Sequence, residues 1–459
     1  MRRVLLLAAI AVPAALWAQE SQLGADFRQE GEHFQENCLH FSPAGCGELL
    51  FTGHPLHVAV GSLAPQNGFG SGIAFTTHYT PNENWRLFFN ADAVATANGS
   101  WRAGGYLNAV LIRHEQIKAS SGTSKPGEKK PSRLTIREMP VIHAYAQGIS
   151  LNSLTFFGLG ANNDQSSYFG MTQTIAGGNV IWPVFDPLKI SLFGEANGRF
   201  ISLRGADSRS KLSIGIVNDE ASAPGLLKQP GFAQFGQGIQ MHPRFANGHI
   251  QLNYAVTLQE WLAGDSHYSF RRFKTDLTHT FPLYRNQRSL QPRSFNGPDS
   301  CASDANSQKC PAITRNLEGS VELRFLYTTS YTSAGSVVPF YLDPTIGGSD
   351  INGASLLPSF ADYRFRGPNF LVFRAAFEHS IYKWPIGVKV LMDQGRVALH
   401  PGDLGFSHLA HSYAAGFTVH AGGLPVIELL FAWGGGPGTH TIATVSPSLL
   451  GGSARPSLY

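Results

Sequence analysis

Charged side chains recur at alternate positions along several apolar runs of this chain. In the run 386–393, Lys389 and Asp393 fall on one side, and Val388 and Val390 fall on the other. Because successive side chains of a β-strand point to opposite faces, such charges line one face of a sheet. The same reading places these charges on that face: Arg374, Glu378, Lys389, Glu322, Arg324, Lys274 and Asp276. Groups of both signs suit either a weakly selective channel or ion pairs across a filled interior.

The four cysteines form two close pairs, Cys38 with Cys46 and Cys301 with Cys310. In an exported chain, this spacing predicts two small disulfide loops. A metal site that includes His40 is the alternative, although neither spacing is that of a usual zinc knuckle.

Catalytic constellations are not evident in the sequence. The 17 histidines are scattered, and no Gly-x-Ser-x-Gly elbow is present. The neighbouring acids Asp219 and Glu220 fit a solvated loop better than an acid/base pair. We therefore expect no enzyme, no cofactor and no metal.

The composition excludes several classes of protein. Only 14% of residues are charged, whereas Gly (50) and Phe (31) are abundant. No run of about 18 apolar residues follows residue 18, so residence in a membrane requires strands. A net charge of +4, dispersed along the chain, gives no basis for nucleic-acid binding.

The first residues have the order of a signal peptide. Met1-Arg2-Arg3 precedes an apolar run from Val4 to Trp17, and Ala18 follows as a small residue at the cut. The alternative is an uncleaved anchor, for which the run is short. The sequence thus predicts export, with cleavage after Ala18.

From about Leu56 onward, runs of about ten residues alternate in hydrophobicity between Gly, Asn, Pro and Asp clusters. This pattern predicts an all-β fold, a transmembrane antiparallel β-barrel of sixteen strands. The predicted strands are 56–64, 70–80, 85–97, 101–114, 133–158, 168–183, 188–204, 231–242, 248–262, 267–282, 318–332, 370–382, 385–397, 409–420, 425–433 and 439–449. With a periplasmic start, 205–230 and 333–369 become long outer loops. The sidedness of 115–132 and 284–317 stays open.

Five short segments follow one another in the carboxy-terminal part of the chain: Val338-Pro339-Phe340, Gly347-Gly348, Tyr363 to Gly367, Ala376-Phe377-Glu378 and Met392 to Val397. In order and content they resemble the bacterial surface antigen superfamily, the D15-type group that includes BamA-like and TamA-like outer-membrane barrels. An earlier segment, Phe157-Gly158-Leu159-Gly160, resembles the tyrosine-glycine-leucine-glycine segment of that family.

The resemblance implies that the long sixth outer loop folds into the lumen. There, a loop arginine lies near an aspartate on the inner wall, and Asp393 stands at the aspartate position with Gly395 following it. The arginine position falls in Leu357-Pro358-Ser359-Phe360, which has none. We expect Arg366, or else Arg364, to substitute within the segment that includes Phe365 and Gly367. The alternative is that Asp393 is solvated in a wet lumen.

The predicted domains are a signal peptide (1–18), a short periplasmic segment (19–54) and the barrel (55–459). Phe27, Phe34 and Leu39 have loosely helical spacing, so 19–54 is expected to form a short helix that plugs or caps the barrel, or else a flexible leader. In the family, the members that insert proteins carry periplasmic POTRA domains, and 19–54 is too short for one.

Two functional hypotheses follow. The first is a surface-antigen-type outer-membrane barrel with a structural, assembly or translocation role; its expected partners are outer-membrane lipid and periplasmic or outer-membrane proteins. The second is a passive or gated pore for small solutes.

Overall fold

The computed structural model describes residues 22–35, 38, 55–112, 139–161, 165–205, 212–290, 313–381, 386–421, 424–435, 440–445 and 455–459. The predicted signal peptide and the cysteines Cys46, Cys301 and Cys310 lie outside these ranges. Cys38 is described, and no cysteine in the described part is free. Because the other three cysteines lie outside the described residues, the two disulfide pairings stay predictions.

Antiparallel strands make up nearly all of the described structure. The first half contains β1 (Leu56–Ser62), β2 (Phe69–Asn82), β3 (Trp85–Thr96), β4 (Trp101–Leu111), β5 (Val141–Phe156), β6 (Ser167–Phe185), β7 (Ile190–Gly205), β8 (Phe232–Met241), β9 (Arg244–Phe245) and β10 (Ile250–Ala263). The second half contains β11 (Phe270–Leu290), β12 (Ile313–Thr332), β13 (Thr345–Ile346), β14 (Phe365–Arg366), β15 (Asn369–Ser380), β16 (Ile386–Ala398), β17 (Ala410–Ala421), β18 (Leu424–Trp433) and β19 (His440–Val445). Two helices accompany them, α1 (Gln22–Phe34) and α2 (Ile214–Val217).

One large sheet runs through the chain as a meander, in which each strand pairs with the next in sequence. The pairing departs from this order at β8 and β9 and at the ribbon β13–β14; past the ribbon, β12 pairs with β15 and the order continues to β19. Both β8 and β9 pair with β10, because the short β9 continues the line of β8. The sheet thus has sixteen strand positions, one for each predicted strand. No pairing joins β1 to β19 among the described residues.

The two faces of this sheet differ as the alternation predicts. On β16, Val390 is 50% exposed whereas Asp393 is fully buried. Large apolar side chains are exposed on the outer face of many strands, for example Ile73, Phe200, Leu258, Phe377, Phe417 and Phe431. A continuous apolar outer face is the face that a barrel presents to lipid. No helix in the described ranges is long and apolar enough to cross a membrane.

Two strands are longer than predicted. The strand β11 continues to Leu290, and β12 begins at Ile313, so their ladder extends well into the predicted loop 284–317. The sequence did not predict this extension, because the polar composition of 284–290 and 313–317 hides the alternation of apolar and polar residues. It is defined by the hydrogen-bonded pairing of the two strands. The remainder of that loop and the segment 113–138 lie outside the described residues.

The helix α1 lies against the outer face at the start of the sheet. The Phe27 ring stacks on Phe75 with centroids 6.3 Å apart, and Phe75 shares the outward side of β2 with Ile73. A Glu30 Oε2 atom accepts a 3.2 Å hydrogen bond from the Leu56 backbone N–H. The apolar side of α1 therefore meets the apolar outer surface of the sheet and not the lumen, while its role as a cap stays a prediction.

Candidate functional site in the lumen

The connection between β12 and β15, residues 333–368, lies inside the curved sheet; we call it loop 6. Its centre is the ribbon β13–β14, in which Thr345 pairs with Arg366 and Ile346 pairs with Phe365. Among its side chains, Phe340, Leu342 and Leu357 are fully buried. The loop is therefore a packed element and not a solvated connection.

Apolar contacts hold loop 6 against the inner wall. The Phe340 ring packs edge-on against Phe156 and Phe169, with centroids 5.0 and 5.2 Å away. A second cluster joins loop residues to β15 and β16; its buried members are Ile346, Leu356, Leu357, Phe365, Phe370, Val372 and Val397.

Hydrogen bonds from loop 6 reach both ends of the sheet. The Tyr363 hydroxyl donates to the Pro65 carbonyl, between β1 and β2, at 3.0 Å. The Ser359 N–H donates to Ser412 Oγ on β17 at 2.8 Å, and Ser359 Oγ donates to the Gly435 carbonyl beyond β18. Because one loop contacts the first and last hairpins, the sheet must curl around it. The space inside the curl is the lumen.

The inner-wall aspartate accepts three hydrogen bonds. Asp393 Oδ1 accepts a 2.7 Å hydrogen bond from Arg374 Nε, and Oδ2 accepts another of 2.7 Å from Arg374 Nη2. The same Oδ2 accepts the Leu357 N–H of loop 6 at 2.8 Å. Arg374 Nη2 in addition donates to the Ser355 carbonyl at 2.6 Å. The pair therefore fixes the loop backbone at two adjacent points.

The arginine that pairs with Asp393 is Arg374, and not Arg366 or Arg364 as expected from the sequence. Arg374 lies directly opposite Asp393 in the β15–β16 register, so a wall residue supplies the guanidinium. Arg366 instead donates from Nη1 to the Phe340 and Asp343 carbonyls, at 2.9 and 3.3 Å. The Arg364 guanidinium lies over the Phe157 and Phe365 rings, about 5 Å from each centroid. Asp393 is fully buried, unlike the solvated alternative.

The glycines expected at the loop contact lie where backbone and side chains come close. A Cβ on Gly395 would stand 2.8 Å from Val372 Cγ2 and 3.3 Å from Ile346 Cδ1 of loop 6. The Gly367 N–H donates to the Pro344 carbonyl at 3.3 Å, at the end of the ribbon. Gly395 thus leaves the space that Ile346 occupies.

The remaining predicted lumen charges lie on the inner face, mostly in pairs. Lys389 Nζ lies 2.7 Å from Glu428 Oε1, and Thr418 Oγ1 donates to Glu378 Oε1 at 3.0 Å. Arg324 and Asp276 form a two-bond pair that is about one-third exposed. Glu322 is partly buried on β12, two residues from Arg324.

A second polar layer, nearer the centre of the meander, was not singled out in the sequence. Arg199 is buried, and its guanidinium lies 4.6 Å from the Trp261 ring centroid and bonds Asn197 Oδ1 at 2.8 Å. Arg272, fully buried, donates to the Leu342 carbonyl of loop 6 at 2.9 Å. Strand alternation could have found Arg272, because it shares the face of Lys274.

The segment Arg455–Tyr459, here called the post-barrel segment, also lies in the lumen. Arg455 Nη2 is 2.9 Å from Asp92 Oδ2 on β3, and Leu458 is buried in the main apolar cluster. The Tyr459 hydroxyl donates to the Asp350 carboxylate of loop 6. The segment therefore joins loop 6 to the wall.

The lumenal environment raises the pKa values of two carboxyl groups of loop 6. Burial raises the pKa of Asp343 to about 8, although Arg272 and Arg366 act to lower it. Burial also raises the pKa of Asp350, against hydrogen bonds that lower it. In the described part of the chain, no group of three or more His, Cys, Asp or Glu side chains could hold a metal.

An antiparallel meander with an apolar outer face, curled around an inserted loop, is the architecture of a plugged membrane β-barrel. The chain is similar to several solved structures. CdiB from Escherichia coli is 10% identical, with a TM-score of 0.48, over 85% of this chain and 61% of that one. CdiB from Acinetobacter baumannii is 10% identical, with a TM-score of 0.46, over 82% and 55%. BamA from Haemophilus ducreyi, solved without POTRA domains 1–3, is 11% identical, with a TM-score of 0.45, over 84% and 66%.

The chain thus spans between 55% and 66% of the length of these structures. No protein-family model and no curated protein matches it.

Proposed function

We propose that this chain is an integral outer-membrane barrel of the BamA/TamA-like type, with a structural, assembly or translocation role in which loop 6 is the functional element. The observation that carries the proposal is the docking of Leu357 and Ser355 on the Asp393–Arg374 pair. It supports the expectation from sequence that the sixth outer loop enters the lumen and meets this aspartate. The role involves no catalysis.

The outer membrane is the proposed location. Supporting it are the exposed apolar side chains around the sheet and the sequence of the first 18 residues, which predicts export. Partners beyond lipid would be proteins of the periplasm or of the outer membrane, which could reach the two ends of the barrel.

Conductance in planar bilayers tests the role of loop 6. The full chain should be silent, whereas a variant in which a short Gly-Ser linker replaces 338–366 should conduct, because the cluster around Phe340 and the Arg374 contacts are then lost. A variant with the same linker in place of 401–407, the turn after β16, is the matched control and should be silent. Folding of each is checked by the mobility shift between unheated and heated samples. Steady conductance by the full chain would overturn the plug.

A porin-like pore is the second candidate, favoured by one observation. Arg324 and Asp276 keep about a third of their side chains exposed on the inner face, so this part of the wall is wet. Under this function, the full chain conducts, and Arg324→Gln changes the ion selectivity.

A further inference from the structure

The post-barrel segment makes a contact of its own at nearly every residue. Arg455 bonds Asp92 at 2.9 Å, and the Ser457 carbonyl accepts from Arg199 Nη1 at 2.7 Å. The Leu458 N–H donates to Asn352 Oδ1 at 2.8 Å. These contacts use both backbone and side-chain groups, as in the binding of a short extended peptide.

The last residue of the segment is held on two sides. The Tyr459 hydroxyl donates to Asp350. Lys274 Nζ donates to the Tyr459 carbonyl at 3.4 Å and lies 5.5 Å from the ring centroid. The partners of the whole segment thus come from β3, β7, β11 and loop 6, which are far apart in sequence.

The groups that hold the segment also have other partners. Asp92 Oδ2 accepts from Arg102 at 2.9 Å as well as from Arg455. Asp350 Oδ1 accepts the Asn352 and Ala354 amides, and Arg199 retains Asn197. Departure of the segment would therefore leave no bare buried charge at Asp92, Asp350 or Arg199. A site that keeps its shape when empty binds its ligand with little reorganisation.

We propose that the lumenal groove formed by Asp92, Arg199, Lys274, Asp350 and Asn352 is a reversible peptide-binding site, and that the post-barrel segment is its resident occupant. The ligand class is an extended peptide with a guanidinium at one end, a leucine-sized side chain near the other and a phenol beside it. Asp92 accepts a hydrogen bond from the guanidinium, the leucine side chain packs in the apolar cluster, and Asp350 accepts a hydrogen bond from the phenol. A tethered occupant has a high effective concentration, so it holds the site against weak competitors.

The test measures binding of a fluorescent peptide, Arg-Pro-Ser-Leu-Tyr, by anisotropy in detergent micelles. The protein is either the full chain or a variant that lacks 455–459. The variant should bind saturably, and the full chain should bind at least about tenfold more weakly, because its site is occupied. Neither conductance nor assembly activity enters the readout, so the result is independent of the proposed function.

Two matched substitutions on β11 complete the test in the variant that lacks 455–459. Lys274→Gln should weaken the peptide about tenfold, because a charged hydrogen bond is lost. Arg271→Gln should leave binding unchanged, because Arg271 is on the outer face and pairs with Glu260. A heat-modifiable, folded variant that binds the peptide no better than the full chain would overturn the site. Equal affinities of the Lys274→Gln and Arg271→Gln proteins for the peptide would also overturn the site.

Discussion

Asp393 and Arg374 face each other across the β15–β16 pairing, and two hydrogen bonds of 2.7 Å join the carboxylate to the guanidinium. Asp393 is fully buried, and the Arg374 side chain is 14% exposed. The pair also presents a carboxylate oxygen to the Leu357 N–H and an Nη2 hydrogen to the Ser355 carbonyl. A single ion pair thus belongs to the wall and anchors the loop.

Asp393→Asn should loosen loop 6 while the barrel stays assembled. Removing one charge of a buried pair leaves the other uncompensated, at a cost of about 3 kcal/mol. The measurement is the rate of protease cleavage within 333–369. Asp276→Asn removes a pair that is about one-third exposed and should cost less than about 1 kcal/mol. Equal cleavage of the Asp393→Asn protein and the unaltered protein would refute the anchor.

Gly395→Ala should push Ile346 away from β16. The added methyl group would lie within 3.0 Å of Val372 Cγ2, so the wall or the loop must shift, which costs about 1–3 kcal/mol. Thermal unfolding followed by the electrophoretic shift measures the loss. Gly198→Ala, on β7, has open space around the new Cβ and serves as the control. If the Gly395→Ala and Gly198→Ala proteins unfold at the same temperature, Gly395 does not make room for the loop.

Arg366→Ala should free the ribbon β13–β14 from the loop segment around Phe340. The Phe340 and Asp343 carbonyls lose their donor, and unsatisfied buried acceptors cost about 1–3 kcal/mol each. Hydrogen exchange of the Thr345 and Ile346 amides should accelerate. The comparison is Arg364→Ala, which removes the partly exposed guanidinium that lies over the Phe157 and Phe365 rings. Faster exchange in the Arg364→Ala protein than in the Arg366→Ala protein would contradict this assignment.

Glu220 should make the loop 212–231 sensitive to acid. Burial raises the pKa of Glu220, but hydrogen bonds from the Leu227 and Gly225 amides and from the Tyr268 hydroxyl outweigh it, so the net pKa is lowered. A lowered folded pKa gives stability that is present above pH 4.5 and is lost as pH falls through the folded value. Protease cleavage of 212–231 should therefore rise only below about pH 4.5.

Glu220→Gln gives the complementary result for that loop. It should increase cleavage at neutral pH and weaken the acid dependence, because the group at 220 no longer loses its hydrogen bonds on protonation; Asp219, whose pKa is lowered by hydrogen bonds from Ser222, still titrates. A Glu220→Gln profile that rises as steeply on acidification as that of the unaltered protein would assign the effect to another group.

Strand alternation was enough to predict the sixteen strand positions and the inner placement of Asp393, because each signal lies within one run of residues. The partner of Asp393 was predicted wrongly. Arg374 was assigned to the correct face, but only the register of β15 on β16 places it opposite the aspartate, and that register is set by the connection and the ladder between the two strands, which alternation within one run does not show. The post-barrel segment could not be placed from sequence, since its partners, such as Asp92 and Lys274, come from strands far apart along the chain.

The hydrogen bond from the Leu56 N–H to Glu30 affects the edge of β1 that faces away from β2. Alternate amides along β1 point away from β2, and the first of them is occupied by a carboxylate. A further strand laid along β1 would find its first available donor at Val58, one step up the ladder. Detaching α1 would free the Leu56 N–H and add one hydrogen-bond donor to that edge, so a short helix outside the sheet sets where a further strand can begin to pair.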